Sequence, residues 1–187
     1  NESFATYSSY VGVTESTEFK EGWASLNSRK QAAYLLDQSE NTHAIATDQV
    51  HSTDEAFASF DAITYRKGGS ALRQLSFLLG KDYKKGLALY FSRYGGQNTR
   101  LKDFIATMAE ASGRDLSTWD ERWLKTAMHN KIETYYQCER NKITNFEIYQ
   151  TGTREHPMLR THKTKVALLR PYGGVLKVWK AKTVEFS

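Results

Sequence analysis

Two short stretches hold the side chains best placed to act on a ligand. Phe60-Asp61-Ala62-Ile63-Thr64-Tyr65-Arg66-Lys67-Gly68-Gly69-Ser70 sets a phenol one turn ahead of two adjacent glycines. Each glycine costs a helix about 1 kcal/mol relative to alanine, so a neighbouring backbone or a bound chain must gain from the bare face. Asp61 is well placed as an N-cap, which makes Ala62 the first helical residue and puts Tyr65 in the first turn. From there its hydroxyl can be aimed off the helix end. The same residues also suit a plainer role, with Tyr65 at the edge of the core and the glycines as packing points. The second stretch, Asn1-Glu2-Ser3-Phe4-Ala5, sets a carboxylate at the start of an amphipathic segment bearing Phe4, Tyr7 and Tyr10. Alone, Glu2 reads as a solvated acid favoured by the helix dipole.

The elements that must position these groups are helical as far as about residue 128. Tyr83, Leu87, Tyr90, Phe91 and Tyr94 share one face, and Leu101, Phe104, Ile105, Met108 and Ala109 share another before Gly113 ends the helix. Glu2 to Val13 and Phe19 to Leu36 also read as helix. Ser117 through Asp120 resembles a capping box, opening a helix with Trp119, Trp123, Leu124 and Ala127 on one stripe. Beyond residue 130 the composition turns to short β-rich segments: Lys131 to Gln137, Ile143 to Thr151, Lys163 to Leu169 and Val175 to Val184. Their alternation is that of strands with one wet face, and Gly173-Gly174 and the region of Gly152 supply turns. The expected architecture is α+β, with helices over residues 1 to 130 and an antiparallel β part over residues 131 to 187.

With 187 residues and 40% hydrophobic content the chain can bury a full core. No apolar run is long enough to span a bilayer. The single cysteine, Cys138, excludes an internal disulfide, reads as a small packed side chain, and fits a cytoplasmic location. Residues 131 to 187 hold 11 basic and 5 acidic residues, so the net charge of +5 resides in the β part.

Taken together, and with Gly113-Arg114-Asp115-Leu116-Ser117-Thr118-Trp119 and Trp123-Leu124-Lys125-Thr126 in the matching order and separation, these stretches resemble the aminopeptidase N family of zinc metallopeptidases. The resemblance covers essentially the whole chain. It implies the helical subdomain of a thermolysin-like catalytic domain followed by the start of a β-sandwich domain. In that family a His-Glu-x-x-His pattern is followed by the glutamate of an Asn-Glu-Gly-Phe-Ala-like stretch, which completes the zinc site. Carried over, Glu2 is the third zinc ligand, with Ser3 where glycine is common. The family's Tyr-x-Lys-Gly tyrosine falls on Tyr65, whose phenol would donate a hydrogen bond to the carbonyl oxygen as charge grows there. Lys67 is either a second functional group or a structural lysine.

None of His43, His51, His129, His156 and His162 lies in a His-Glu-x-x-His pattern. The resemblance therefore places the paired histidines and the catalytic glutamate ahead of Asn1. The full-length protein is expected to carry Zn2+ and act on a peptide substrate. This chain alone, parted from the upstream polypeptide that is its natural partner, is expected neither to hold the metal tightly nor to hydrolyse peptides. His43 and His51 read as exposed loop residues. Two rival readings are a basic β module that binds nucleic acid, through its lysines with Tyr172, Trp179 and Phe186, and a non-catalytic scaffold docking through Tyr83, Tyr90 and Trp119. The alternation of Lys177, Lys180 and Lys182 with apolar neighbours is equally that of a solvated sheet face, so nucleic acid is not an expected partner.

Overall fold

The computed structural model describes residues 1–47 and 50–187. Helices fill the chain as far as Trp123: α1 (Glu2–Ser16), α2 (Gly22–Asp37), α3 (Thr53–Ala58), a π-helical turn (Ile63–Lys67) running straight into α4 (Gly68–Leu79), α5 (Lys81–Tyr94), α6 (Leu101–Ser112) and α7 (Trp119–Trp123). Their apolar stripes meet in one core. Leu72, Leu75, Leu78 and Leu79 of α4 pack with Tyr83 of α5, Phe104, Ile105 and Met108 of α6, Tyr7 of α1, and Trp119 and Leu124. Burying a side chain such as Leu75 or Met108 fully contributes about 1.5 to 3 kcal/mol. Tyr83 and Trp119 belong to this core, which removes them as a docking surface.

The paired glycines are explained by α1. A Cβ on Gly68 would stand 2.6 Å from the Ser3 Cβ, and one on Gly69 would stand 2.8 Å from the Thr6 Cγ2. It is a neighbouring helix that uses the bare face of the π-turn and α4. Because the Ser3 Cβ is tied directly to its backbone, Gly68→Ala must push α1 away. We expect the substitution to cost about 1 to 3 kcal/mol, read as a lower denaturation midpoint. An unchanged midpoint would show that α1 is not seated there.

Several local expectations are corrected. The Ser117–Asp120 capping box does not form: α7 is five residues long and its N-cap Thr118 makes no side-chain bond. Instead, the Asp115 Oδ1 accepts the Ser117 N–H at 2.8 Å, a local turn that competes with capping. The helix expected from Phe19 starts only at Gly22, where a Cβ would stand 2.4 Å from the Thr14 hydroxyl of α1. α3 was not expected at all; Ser52 caps it by accepting the Glu55 N–H at 3.1 Å.

From Lys131 onward the chain forms two antiparallel hairpins. β1 (Lys131–Glu139) pairs with β2 (Lys142–Thr151), and β3 (His162–Tyr172) pairs with β4 (Val175–Phe186). The first hairpin turns at Arg140–Asn141 and the second at Gly173–Gly174, all four with positive φ as tight hairpin turns require. The half-buried strands expected from the alternation are seen only in part: β3 is half-buried along its first two thirds and β2 at scattered positions. β1 is exposed along its whole length and β4 nearly so, and Cys138 is exposed rather than packed. Each hairpin pairs only with itself, leaving an open cavity of about 740 Å³ between Ile143, Phe146 and Ile148 on one side and Val166, Leu168 and Val184 on the other.

Candidate active site

Glu2 opens α1 and Tyr65 lies in the π-turn, and the residues next to them are bonded to each other: the Ser3 hydroxyl donates to the Thr64 carbonyl at 2.7 Å. With the glycine contacts, this bond fixes the head of α1 against the turn that bears the phenol. Glu2's own backbone N–H holds its carboxyl below the usual range, outweighing the opposing effect of burial. It is therefore ionised at neutral pH, with a partly exposed carboxylate of the kind that ligates hard or borderline cations. The Tyr65 ring packs edge-on to Phe60, centroids 6.4 Å apart, and stays 39% exposed. Among the described residues nothing hydrogen-bonds its hydroxyl, which leaves the phenol available to a ligand.

Asp61 acts as the expected cap, its Oδ1 accepting from the Ile63 N–H at 2.8 Å and the Thr64 N–H at 3.0 Å. The helical turn it starts is of the π type, a rare form that occurs mostly as single turns and often near functional sites. His43 is not the exposed loop residue expected. It is half-buried, with Nε2 2.9 Å from the Asp61 Oδ2 and Nδ1 2.8 Å from the Ala44 carbonyl. His51 is exposed.

Lys67 resolves as structural. Its Nζ donates to the Asp37 Oδ1 at 2.8 Å and to the Met128 carbonyl at 2.9 Å, with the side chain largely buried. Thr42 closes a ring, its hydroxyl donating to Asp37 at 2.8 Å and lying 3.4 Å from the Met128 N–H. Burial alone would raise the Asp37 carboxyl, but His129, Lys67 and Thr42 outweigh it and bring it down to about 2. The guanidinium of Arg160 grips the carbonyls of Thr126, Ala127 and Met128 from the other side at 2.8 to 3.2 Å. Met128, held by all these partners, sits at φ 61. Sequence reasoning missed this knot because most of its bonds join residues 30 or more apart in the chain. One signal was present: Asp37 is an acid in the last turn of a helix, where the dipole disfavours it.

Among the described residues no three of His, Cys, Asp and Glu gather into a cation site. The ring of His162 lies between Trp123 and Phe186, and burial together with the charge of Arg160 pushes it down to about 4, so it packs as a neutral ring. Glu2 is thus a single donor, which fits one position of a three-ligand zinc site. Among the described residues no helix is long and apolar enough to cross a membrane.

Comparison with known proteins shows the family. The model of the peptidase family M1 domain matches residues 1–123. The chain is 36% identical over 177 residues to aminopeptidase N of Streptomyces lividans, covering 89% of this chain and 20% of that protein. It is 31% identical over 180 residues to the tricorn protease-interacting factor F2 of Thermoplasma volcanium, covering 90% of this chain and 22% of that protein. Among solved structures, aminopeptidase A of Legionella pneumophila, in complex with aspartic acid, shares the fold with a TM-score of 0.67 at 17% identity, over 99% of this chain and 20% of that one. The fold is therefore that of a metallopeptidase segment combining helices with antiparallel strands. The chain belongs to peptidase family M1, and it spans about a fifth of the length of these relatives.

Proposed function

We propose that this chain is the part of a zinc aminopeptidase that supplies one metal ligand, Glu2, and one oxyanion donor, Tyr65. The full-length enzyme would remove amino-terminal residues from peptides. The observation that carries the reading is the Ser3 to Thr64 hydrogen bond of 2.7 Å, which ties the residue beside Glu2 to the residue beside Tyr65. A carboxylate and a phenol held by one such clasp can serve the two sides of a single reaction, one toward the cation and one toward the carbonyl oxygen.

Zinc, when bound, would polarise the carbonyl and make water a nucleophile near neutral pH. The chain's own residues divide the remaining work. Glu2, kept ionised, contributes one donor. Tyr65 offers its O–H where negative charge grows, an interaction worth most in the transition state. The other ligands and the base would come from the polypeptide ahead of Asn1, so this chain alone would neither retain zinc tightly nor turn over peptides.

The test is zinc content of the full-length protein. Glu2→Gln keeps size and polarity but gives a much weaker ligand, and should weaken zinc retention at least about tenfold on dialysis against a chelator, with unchanged helix content by circular dichroism. A variant that holds zinc as tightly as the parent would remove Glu2 from the metal site.

A further inference from the structure

We propose that Asp61 and His43 are positioning residues for the Tyr65 phenol, fixing the π-turn from which it projects and so setting turnover without touching the substrate. This deepens the assignment of Tyr65 as oxyanion donor and rests on it.

Every oxygen of Asp61 is engaged, two with this turn and one with His43. Its Oδ1 accepts the Ile63 and Thr64 N–H groups, its main-chain carbonyl accepts the Tyr65 N–H at 3.1 Å, and its Oδ2 faces the His43 Nε2 at 2.9 Å. The first turn therefore cannot rotate unless the carboxylate moves with it. His43 in turn prevents that movement. Its Nδ1 lies 2.8 Å from the Ala44 carbonyl, so the ring is held at both nitrogens, between that carbonyl and the Asp61 carboxylate. The segment carrying His43 is anchored as well, since the Ala46 N–H donates to the Leu124 carbonyl at 2.8 Å.

The phenol needs this support. The Tyr65 ring has the edge contact with Phe60, itself half exposed, and no described partner for its hydroxyl. Its aim is set by the backbone that carries it. A π-turn holds more residues per turn than an α-turn, so relaxing it to α geometry would swing Tyr65 around the helix axis. The Asp61 bonds and the Ser3 bond to the Thr64 carbonyl lie on the residues that such a relaxation would move. Displacing a reacting group by about 1 Å can cost on the order of a hundredfold in rate.

The experiment is a double-mutant cycle in the full-length enzyme, with an aminoacyl anilide as substrate. Asp61→Ala, Asp61→Asn and His43→Ala are each made with Tyr65 present and in the Tyr65→Phe background. Asparagine keeps an acceptor for both N–H groups and a polar group facing the His43 ring, so it is the conservative rescue. With Tyr65 present, Asp61→Ala and His43→Ala should lower kcat about tenfold or more with KM within about twofold, and Asp61→Asn should recover most of the loss. In the Tyr65→Phe background the same changes should alter kcat less than about twofold. Equal losses in both backgrounds, or no loss with Tyr65 present, would overturn the positioning role while leaving Tyr65 as donor. A harmless Tyr65→Phe would remove the donor assignment and this proposal with it. Should Asp61→Ala fail to fold, His43→Ala, which leaves the helix cap in place, decides the matter.

Discussion

In the full-length enzyme, Tyr65→Phe should lower kcat about 100- to 1000-fold and leave KM within about threefold, corresponding to roughly 2.7 to 4 kcal/mol of lost transition-state stabilisation. The substitution removes one oxygen and nothing else. The ring keeps its edge contact with Phe60 and the backbone keeps the Asp61 cap, so fold and substrate seating are retained. Since nothing among the described residues bonds the hydroxyl, its removal leaves no buried group without a partner. The loss should therefore fall on the step where charge reaches the carbonyl oxygen. A tetrahedral transition-state analogue should weaken in parallel, while a ground-state product such as a free amino acid should bind almost as before. Steady-state kinetics with one substrate and one such analogue separate the cases. A raised KM at constant kcat would make Tyr65 a substrate-binding residue, and unchanged constants would return it to the edge of the core.

The reading from residues succeeded where one side of an element decides its form. The stripes of α5 and α6 are local, and Gly113 ends α6 in the left-handed conformation that glycine adopts without strain. The strands were legible from alternation, but the exposure of β1 and β4 was not, because alternation shows that a strand has two faces and not what covers either one. The paired glycines announced a close approach without naming the approaching helix. Ser3, which looked like a small replacement for glycine, turned out to bond Thr64 through its hydroxyl. The role of Lys67 was hidden for a different reason. A lysine in a helical stretch reads as solvated until an acid and a carbonyl from distant segments close around it, and no local pattern records that the Asp37 carboxylate lies 2.8 Å away. His43 is similar: its polar neighbourhood indicated a loop, but only the tertiary fold brings Asp61 to its ring.

The buried knot around Lys67 supports the second large effect, on stability. Lys67→Met should destabilise the chain by about 3 to 5 kcal/mol, because the Asp37 carboxylate would keep its desolvation cost and lose the ammonium 2.8 Å from it. Met128, at φ 61, would lose one of the groups that hold its carbonyl. Replacing both members, Lys67→Met with Asp37→Leu, should recover much of the loss, since an apolar pair of similar volume carries no uncompensated charge. Acid separates the two partners. The Asp37 carboxyl titrates at about 2 in the fold against an ordinary 3.8, so the unfolded chain takes up its proton first as pH falls. The stabilisation linked to this group is complete above the ordinary value and is lost as pH drops from there through about 2, on the order of 2 kcal/mol in all. Lys67 does not share in that acid limb, because burial lowers it from 10.5 and its effect lies on the alkaline side. Urea unfolding followed between pH 2 and 5 should show the steep acid dependence in the parent chain and a shallower one in Asp37→Asn. Equal slopes would mean that the acid lability arises elsewhere and that Asp37 is not the carboxylate Lys67 holds in solution.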